Sequence, residues 1–185
     1  MDPLHPQLQE VRREIDEATA RAKRLVNQLD DAAFQKRPAG GSWSAAECLV
    51  HLNLTTRAFL PLIDDALRSA PPGPVDPGRR YRRDVVGWLL TKMMEPPARM
   101  KVKTTPPFMP EASAGRTEIL GEFERLQAEF AARVESANRY DISAVKVRSP
   151  FSETMRYRLI GGLTAILAHE RRHLWQAERA SGLKP

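Results

Sequence analysis

One spacing limits the folds open to this chain more than any other feature. Between Pro6 and Leu29 the apolar residues Leu8, Val11, Ile15, Ala18, Ala22, Leu25 and Leu29 follow one another in alternating steps of three and four. Such steps return to one side of an α-helix and make a single buried stripe. "RPAGG", Arg37–Gly41, then interrupts the chain. A second stripe, built on Cys48, Leu49, Leu52, Phe59, Ile63 and Leu67, predicts a helix ending near Ser69. It opens on Ser44-x-x-Glu47, the pattern of a capping box, and Trp43 ahead of it is placed to staple onto Cys48 in the first turn. Pro61 within the run predicts a kink. A third helix is expected over about Arg116–Ala137 and a fourth over about Glu153–Ala180. No convincing alternating strand stands out. Residues 71–113 carry nine prolines and leave room for one short amphipathic helix in "RRDVVGWLLTKMM". The pattern predicts an all-α chain: a four-helix bundle with a long connection between its second and third helices, forming one domain over residues 1–185.

Composition narrows the classes. No run of eighteen apolar residues exists, so no membrane span or membrane partner is expected. The start is charged and lacks the apolar core of a secretory signal. A single cysteine, Cys48, rules out an internal disulfide and makes a reducing cytoplasm the expected setting. The net charge of +6 hints at acidic partners, and its densest knot is Arg79–Arg83, "RRYRR". No nucleic-acid-binding motif accompanies that knot, so it reads as a solvated loop and no nucleic-acid partner is expected.

The histidines carry the chemistry. His169, Glu170 and His173 match H-E-x-x-H, a spacing that puts two imidazoles on one helix face. A zinc protease would need a third ligand downstream and a sheet edge to hold a peptide. After His173 the one side-chain carboxylate is Glu178, five residues on and turned away. Glu170 itself, rotated ~100° from His169, reads as an exposed helix residue. Counting in helical steps gives the column Gly162, Ile166, His169, His173 and Gln176, at the edge of the apolar face. His51 shares its own column with Glu47 and Thr55, which are the candidates to orient its ring. His51, His169 and His173 together suit zinc, nickel or another borderline divalent metal. Spacing alone equally allows three separate histidines with no ion. Cys48, on the apolar stripe, reads as a small buried hydrophobe and not a ligand. Arg172 reads as half of a structural ion pair, Gln176 as a cofactor- or substrate-binding residue, and His5 is given no role.

Two stretches resemble a known family. "LDDAAFQKRPAGGSWSAAECLVHLN", Leu29–Asn53, holds W-S-x-x-E-x-x-x-H-L as Trp43, Ser44, Glu47, His51 and Leu52. "ILAHERRHLWQAER", Ile166–Arg179, holds H-x-x-R-H-x-x-Q as His169, Arg172, His173 and Gln176. These resemble the two signature regions of the DinB-like superfamily, the damage-inducible-protein-like bundles that include bacillithiol transferases and mycothiol-dependent maleylpyruvate isomerase. "MKVKTTPPFMP", Met100–Pro110, is similar to that family's basic, proline-bearing segment. The resemblance implies a bundle with a three-histidine divalent-metal site and gives ligand roles to His51, His169 and His173.

For function, the resemblance implies a metal-dependent enzyme acting on a small-molecule substrate, transferring a low-molecular-weight thiol onto an electrophile. A divalent ion can stabilise and orient a thiolate for such attack. The alternatives are a metal-dependent hydrolase and a non-catalytic metal- or ligand-binding bundle. A homodimer stays open.

Overall fold

The computed structural model describes residues 3–73, 76–97 and 104–184. Helix α1 spans Pro6–Asn27 and buries Leu8, Val11, Ile15, Ala18, Ala22 and Leu25, the stripe its spacing predicts. His5 does have a role: it caps α1. Its Nδ1 accepts from the Gln7 amide at 3.1 Å, and its Nε2 donates to the Arg79 carbonyl at 2.9 Å. One neutral tautomer satisfies both bonds.

A short α2, Asp31–Gln35, precedes α3, Ala45–Arg68. The capping box at the start of α3 is complete. Ser44 Oγ accepts from the Glu47 amide at 3.1 Å, and Glu47 Oε2 accepts from the Ser44 amide at 2.9 Å. Ser44→Ala is expected to lower stability by about 0.5–2 kcal/mol. Urea unfolding reads this, and an unchanged midpoint would reject the cap as a stabilising feature. Pro61 lies inside α3 without ending it.

Helix α4, Val85–Met94, and a 3₁₀ turn, Pro106–Phe108, occupy the proline-rich connection. Of the basic segment Met100–Pro110, the residues Met100–Lys103 lie outside the described residues. Helix α5 spans Arg116–Ala137. The fourth long helix then departs from expectation at its start. Residues Glu153–Arg158 are not helical: Lys146–Ser149 (β1) and Ser152–Arg158 (β2) form an antiparallel hairpin, with Val147 opposite Tyr157. Only Tyr157 of β2 is buried, so the strand shows no apolar alternation to read. Helix α6 begins at Leu159 and ends at Ala180. Asp84 ties the two regions together: one carboxylate oxygen caps α4 at the Gly87 amide (2.8 Å), and the other accepts from the Arg158 amide (2.7 Å).

The chain is therefore mostly helical, with α1 and α3 each packed against both α5 and α6. Apolar side chains fill two clusters. One gathers around Phe59, Phe130, Leu159 and Leu163, the other around Phe34, Cys48, Leu49 and Phe123. Helix α4 lies against α6 through small residues. A Cβ on Gly87 would stand 2.9 Å from the Gly161 Cα, so only glycine permits this approach. The large apolar side chains of α4, Val85, Trp88, Leu89 and Met93, face outward. The hairpin is seated the same way: a Cβ on Gly162 would lie 2.7 Å from both Tyr157 Cε2 and Val147 Cγ1. Gly162→Ala is expected to destabilise by about 1–3 kcal/mol through overpacking. A thermal midpoint equal to wild type would show that the hairpin is loosely held. Among the described residues no helix is long and apolar enough to cross a membrane.

Candidate metal centre

The three histidines singled out by the sequence meet. His51 sits two turns into α3, where the capping box fixes the helix start, and His169 and His173 lie one turn apart on α6. Ring centroids are 5.0 Å apart for His51–His169 and 4.5 Å for each of the other two pairs. One nitrogen from each ring lies within 4.8 Å of the others. Around a tetrahedral ion with bonds of ~2.1 Å, ligand atoms stand ~3.4 Å apart, so small ring movements suffice to share one.

The protonation pattern also fits. His51 Nδ1 donates to the Phe108 carbonyl at 2.8 Å, leaving the Nε2 lone pair directed at the cluster, 3.1 Å from His169 Nε2. Burial holds all three imidazoles below their ordinary pKa, with His51 and Arg172 adding to the effect at His173, which falls to about 3. They are neutral, as a metal requires of imidazole. His169 Nδ1 and His173 Nδ1 are buried and have no hydrogen-bond partner among the described residues. Three neutral, buried imidazoles with orphaned nitrogens could hold one borderline divalent ion.

This burial has a pH consequence. A histidine held neutral in the fold but free to protonate when unfolded gives stability that is present above pH 6.5 and declines as pH falls toward the folded value. Chelator-treated protein is expected to lose about 2 kcal/mol from His173 between pH 6.5 and 5, because its folded value is about 3. Urea midpoints of wild type and His173→Ala that shift equally with pH would contradict this.

Several expected neighbours take other roles. Glu47 does not orient His51; it is occupied by the cap and by Arg37, whose Nε approaches Oε2 at 2.8 Å. Thr55 donates to the Leu52 carbonyl instead. The partner of His51 is a main-chain carbonyl of the 3₁₀ turn, which no side-chain pattern could reveal. Trp43 is more than a helix staple, since its ring lies 4.8 Å from His51 and 5.7 Å from His173. Phe151, from the hairpin turn, stands 5.5 Å from His169. Cys48 is fully buried, outside the histidine group, and burial pushes its thiol far up. The bonds of Arg172, which is buried, include one to the Met93 carbonyl at 3.3 Å, and Arg171 beside it makes ion pairs with Glu14 and Glu95.

Glu170 overturns its expected exposure most clearly. It is fully buried between helices, accepting from Gln127 Nε2 at 2.8 Å and Thr56 Oγ1 at 3.4 Å. It does not line the histidine cavity, so it is not placed as the general base that H-E-x-x-H supplies in a protease.

That cavity measures about 1110 Å³ and opens onto His51, His169 and His173, with Gln176 also in its wall. A sequence profile of the DinB superfamily matches residues 14–177, nearly the whole chain. The chain belongs to the DinB superfamily. No curated protein matches it, and no solved structure does. Within this DinB-superfamily chain, both signature regions converge on the histidine cluster, one through His51 and Trp43 and the other through His169 and His173.

Proposed function

We propose that His51, His169 and His173 hold one zinc or nickel ion inside a four-helix bundle, and that the protein transfers a low-molecular-weight thiol onto a small electrophile. The observation that carries this reading is the cavity. Its volume exceeds that of an ordinary single-ligand pocket, and the imidazoles form part of its wall. Two reactants can therefore meet beside the histidines. When bound, a divalent ion would favour the thiolate over the thiol at neutral pH.

The chain supplies the surroundings. The Phe108 carbonyl fixes the His51 ring, while Trp43 and Phe151 wall the histidines. In the transfer, the thiol gives its proton to solvent and the sulfur lone pair forms a C–S bond. The bond from carbon to the leaving group breaks, and that group departs with the electron pair. No Asp or Glu is among the described residues lining the cavity, so a carboxylate-based hydrolysis lacks its base. Gln176, one turn beyond His173, is assigned to anchor the thiol.

Metal analysis of protein purified without a nickel column, followed by electrophile consumption with and without added thiol, tests the proposal. Turnover should require both the ion and the thiol. Gln176→Ala should lower activity by about tenfold while leaving metal content and helix content intact, as expected for loss of one or two hydrogen bonds. Thiol-independent turnover would favour a hydrolase, and metal binding with no turnover would leave a binding protein.

A further inference from the structure

Eight large apolar residues are exposed among the described residues, and they gather in two places. Met109, Phe151 and Met155 line the cavity. The other five, Val85, Val86, Trp88, Leu89 and Met93, all belong to α4. Val85 is 78% exposed and Trp88 49%, so this is an open face and not the rim of a contact. Helical steps of ~100° put these five and Lys92 on one arc of ~160°. Gly87 and Thr91 are buried on the opposite side, against Gly161 and Thr164 of α6. Cations frame the arc. Arg80, Arg82 and Arg83 precede α4 within five residues of Val85, and Lys92 lies inside the arc. All four are exposed, and among the described residues their side chains make no ion pair and no hydrogen bond.

We infer that α4 seats the protein on an anionic lipid surface, with Trp88, Leu89 and Met93 among the headgroups and upper acyl chains and the four cations against lipid phosphates. A helix with an apolar, tryptophan-bearing face and basic flanks has the composition that lies in a membrane interface. The absence of an apolar span, from which no membrane partner is expected, concerns crossing a bilayer; lying on one takes a single apolar face. Charge selects this occupant over a second copy of the chain. A two-fold pairing of α4 faces would bring together four of these cations from each copy. The carboxylates at the two ends of the helix are already committed, Asp84 to the Gly87 and Arg158 amides and Glu95 to Arg171. A bilayer rich in acidic lipid supplies negative charge across the whole face. Lys92 can lay its methylenes along the apolar arc and extend its ammonium to a phosphate. Attachment also positions the cavity. Leu90 and Met94, on the inner side of α4, line it, so that wall stands about one helix diameter, ~10 Å, from lipid.

Co-sedimentation of the full chain with vesicles tests the inference without any turnover assay. The vesicles are phosphatidylcholine alone, or phosphatidylcholine and phosphatidylglycerol in equal parts. The protein should bind the mixed vesicles at least about tenfold more tightly than the neutral ones, since each basic residue near an acidic surface contributes about fivefold. Raised salt should release it. Trp88→Ala should weaken binding at least about tenfold, and Arg82→Gln and Lys92→Gln about fivefold each. The two charge variants change exposed side chains, so they read the face even where Trp88→Ala alters folding. Lys36→Gln, which removes an exposed cation at the end of α2, should leave binding unchanged. A chain that stays in solution with the mixed vesicles overturns the inference. Equal binding to neutral vesicles overturns the assigned charge. Full binding by Trp88→Ala, or equal losses in Lys36→Gln and Arg82→Gln, overturns α4 as the seat. Sedimentation equilibrium without lipid supplies the last arm: a wild-type dimer that Trp88→Ala turns into a monomer would give the face to a second copy and sink the membrane reading.

Discussion

His169→Ala protein is expected to lose the stoichiometric uptake of one divalent ion that wild type shows. His169 touches both other members of the cluster: its Nε2 faces His51 across 3.1 Å, and the His173 ring lies 4.5 Å away, one turn on along the same helix. With two imidazoles left, affinity for zinc should fall by at least ~100-fold, the upper range seen even for residues that only support a ligand. The effect should also appear as stability. Metal at a hundredfold excess over its dissociation constant adds about 2.7 kcal/mol to a fold that binds it. For a chain of this size that raises the thermal midpoint by roughly 5–11 °C. Chelator should reverse the gain in wild type and change the variant little. Equal zinc uptake by the two proteins in equilibrium dialysis would remove the histidines as the site.

Glu170 should produce the largest response in metal-free stability. Glu170→Ala leaves a void in a sealed interior and strands the Gln127 amide, and should cost about 3–4 kcal/mol. Glu170→Gln should be mild, and its effect should change with pH. Burial pushes the Glu170 carboxyl up to about 7, against bonds from Gln127 and Thr56 that favour its charged form. A carboxyl that keeps its proton in the fold but loses it when unfolded gives stability that is full below pH 4.5 and is lost as pH rises through 7. Relative to wild type, the glutamine variant should therefore gain about 3 kcal/mol between pH 4.5 and 8. Urea unfolding at both pH values measures it. A difference that stays constant with pH would mean that Glu170 ionises as freely as a surface carboxylate.

Glu170 also shows where sequence reading stops. The α1 stripe, the Ser44–Glu47 box and the His169–His173 column are local, because helical steps decide them within a few residues. His51 joined them through the paired motifs, not through its own spacing. The angle of 100° between His169 and Glu170 predicts exposure only for a helix with a wet side. Helix α6 has little of one: α1, α3, α4 and the hairpin all pack on it, and fifteen of its residues are buried. The hairpin itself was hidden because β2 buries a single side chain. The Phe108 carbonyl and the Phe151 ring reach the site from distant turns, and only tertiary packing brings them there.

Cys48 has a practical meaning for experiments on this protein. It is the chain's single thiol, and it is sealed in the cluster with Phe34, Leu49 and Phe123. An alkylating reagent can reach it only when that half of the molecule opens, so its labelling rate is a clock for that opening. In the native state the same seal makes the protein a silent container. Mixed with a small thiol and an electrophile, Cys48 should form no mixed disulfide and take up none of the electrophile, so that every sulfur counted in the product comes from the added thiol.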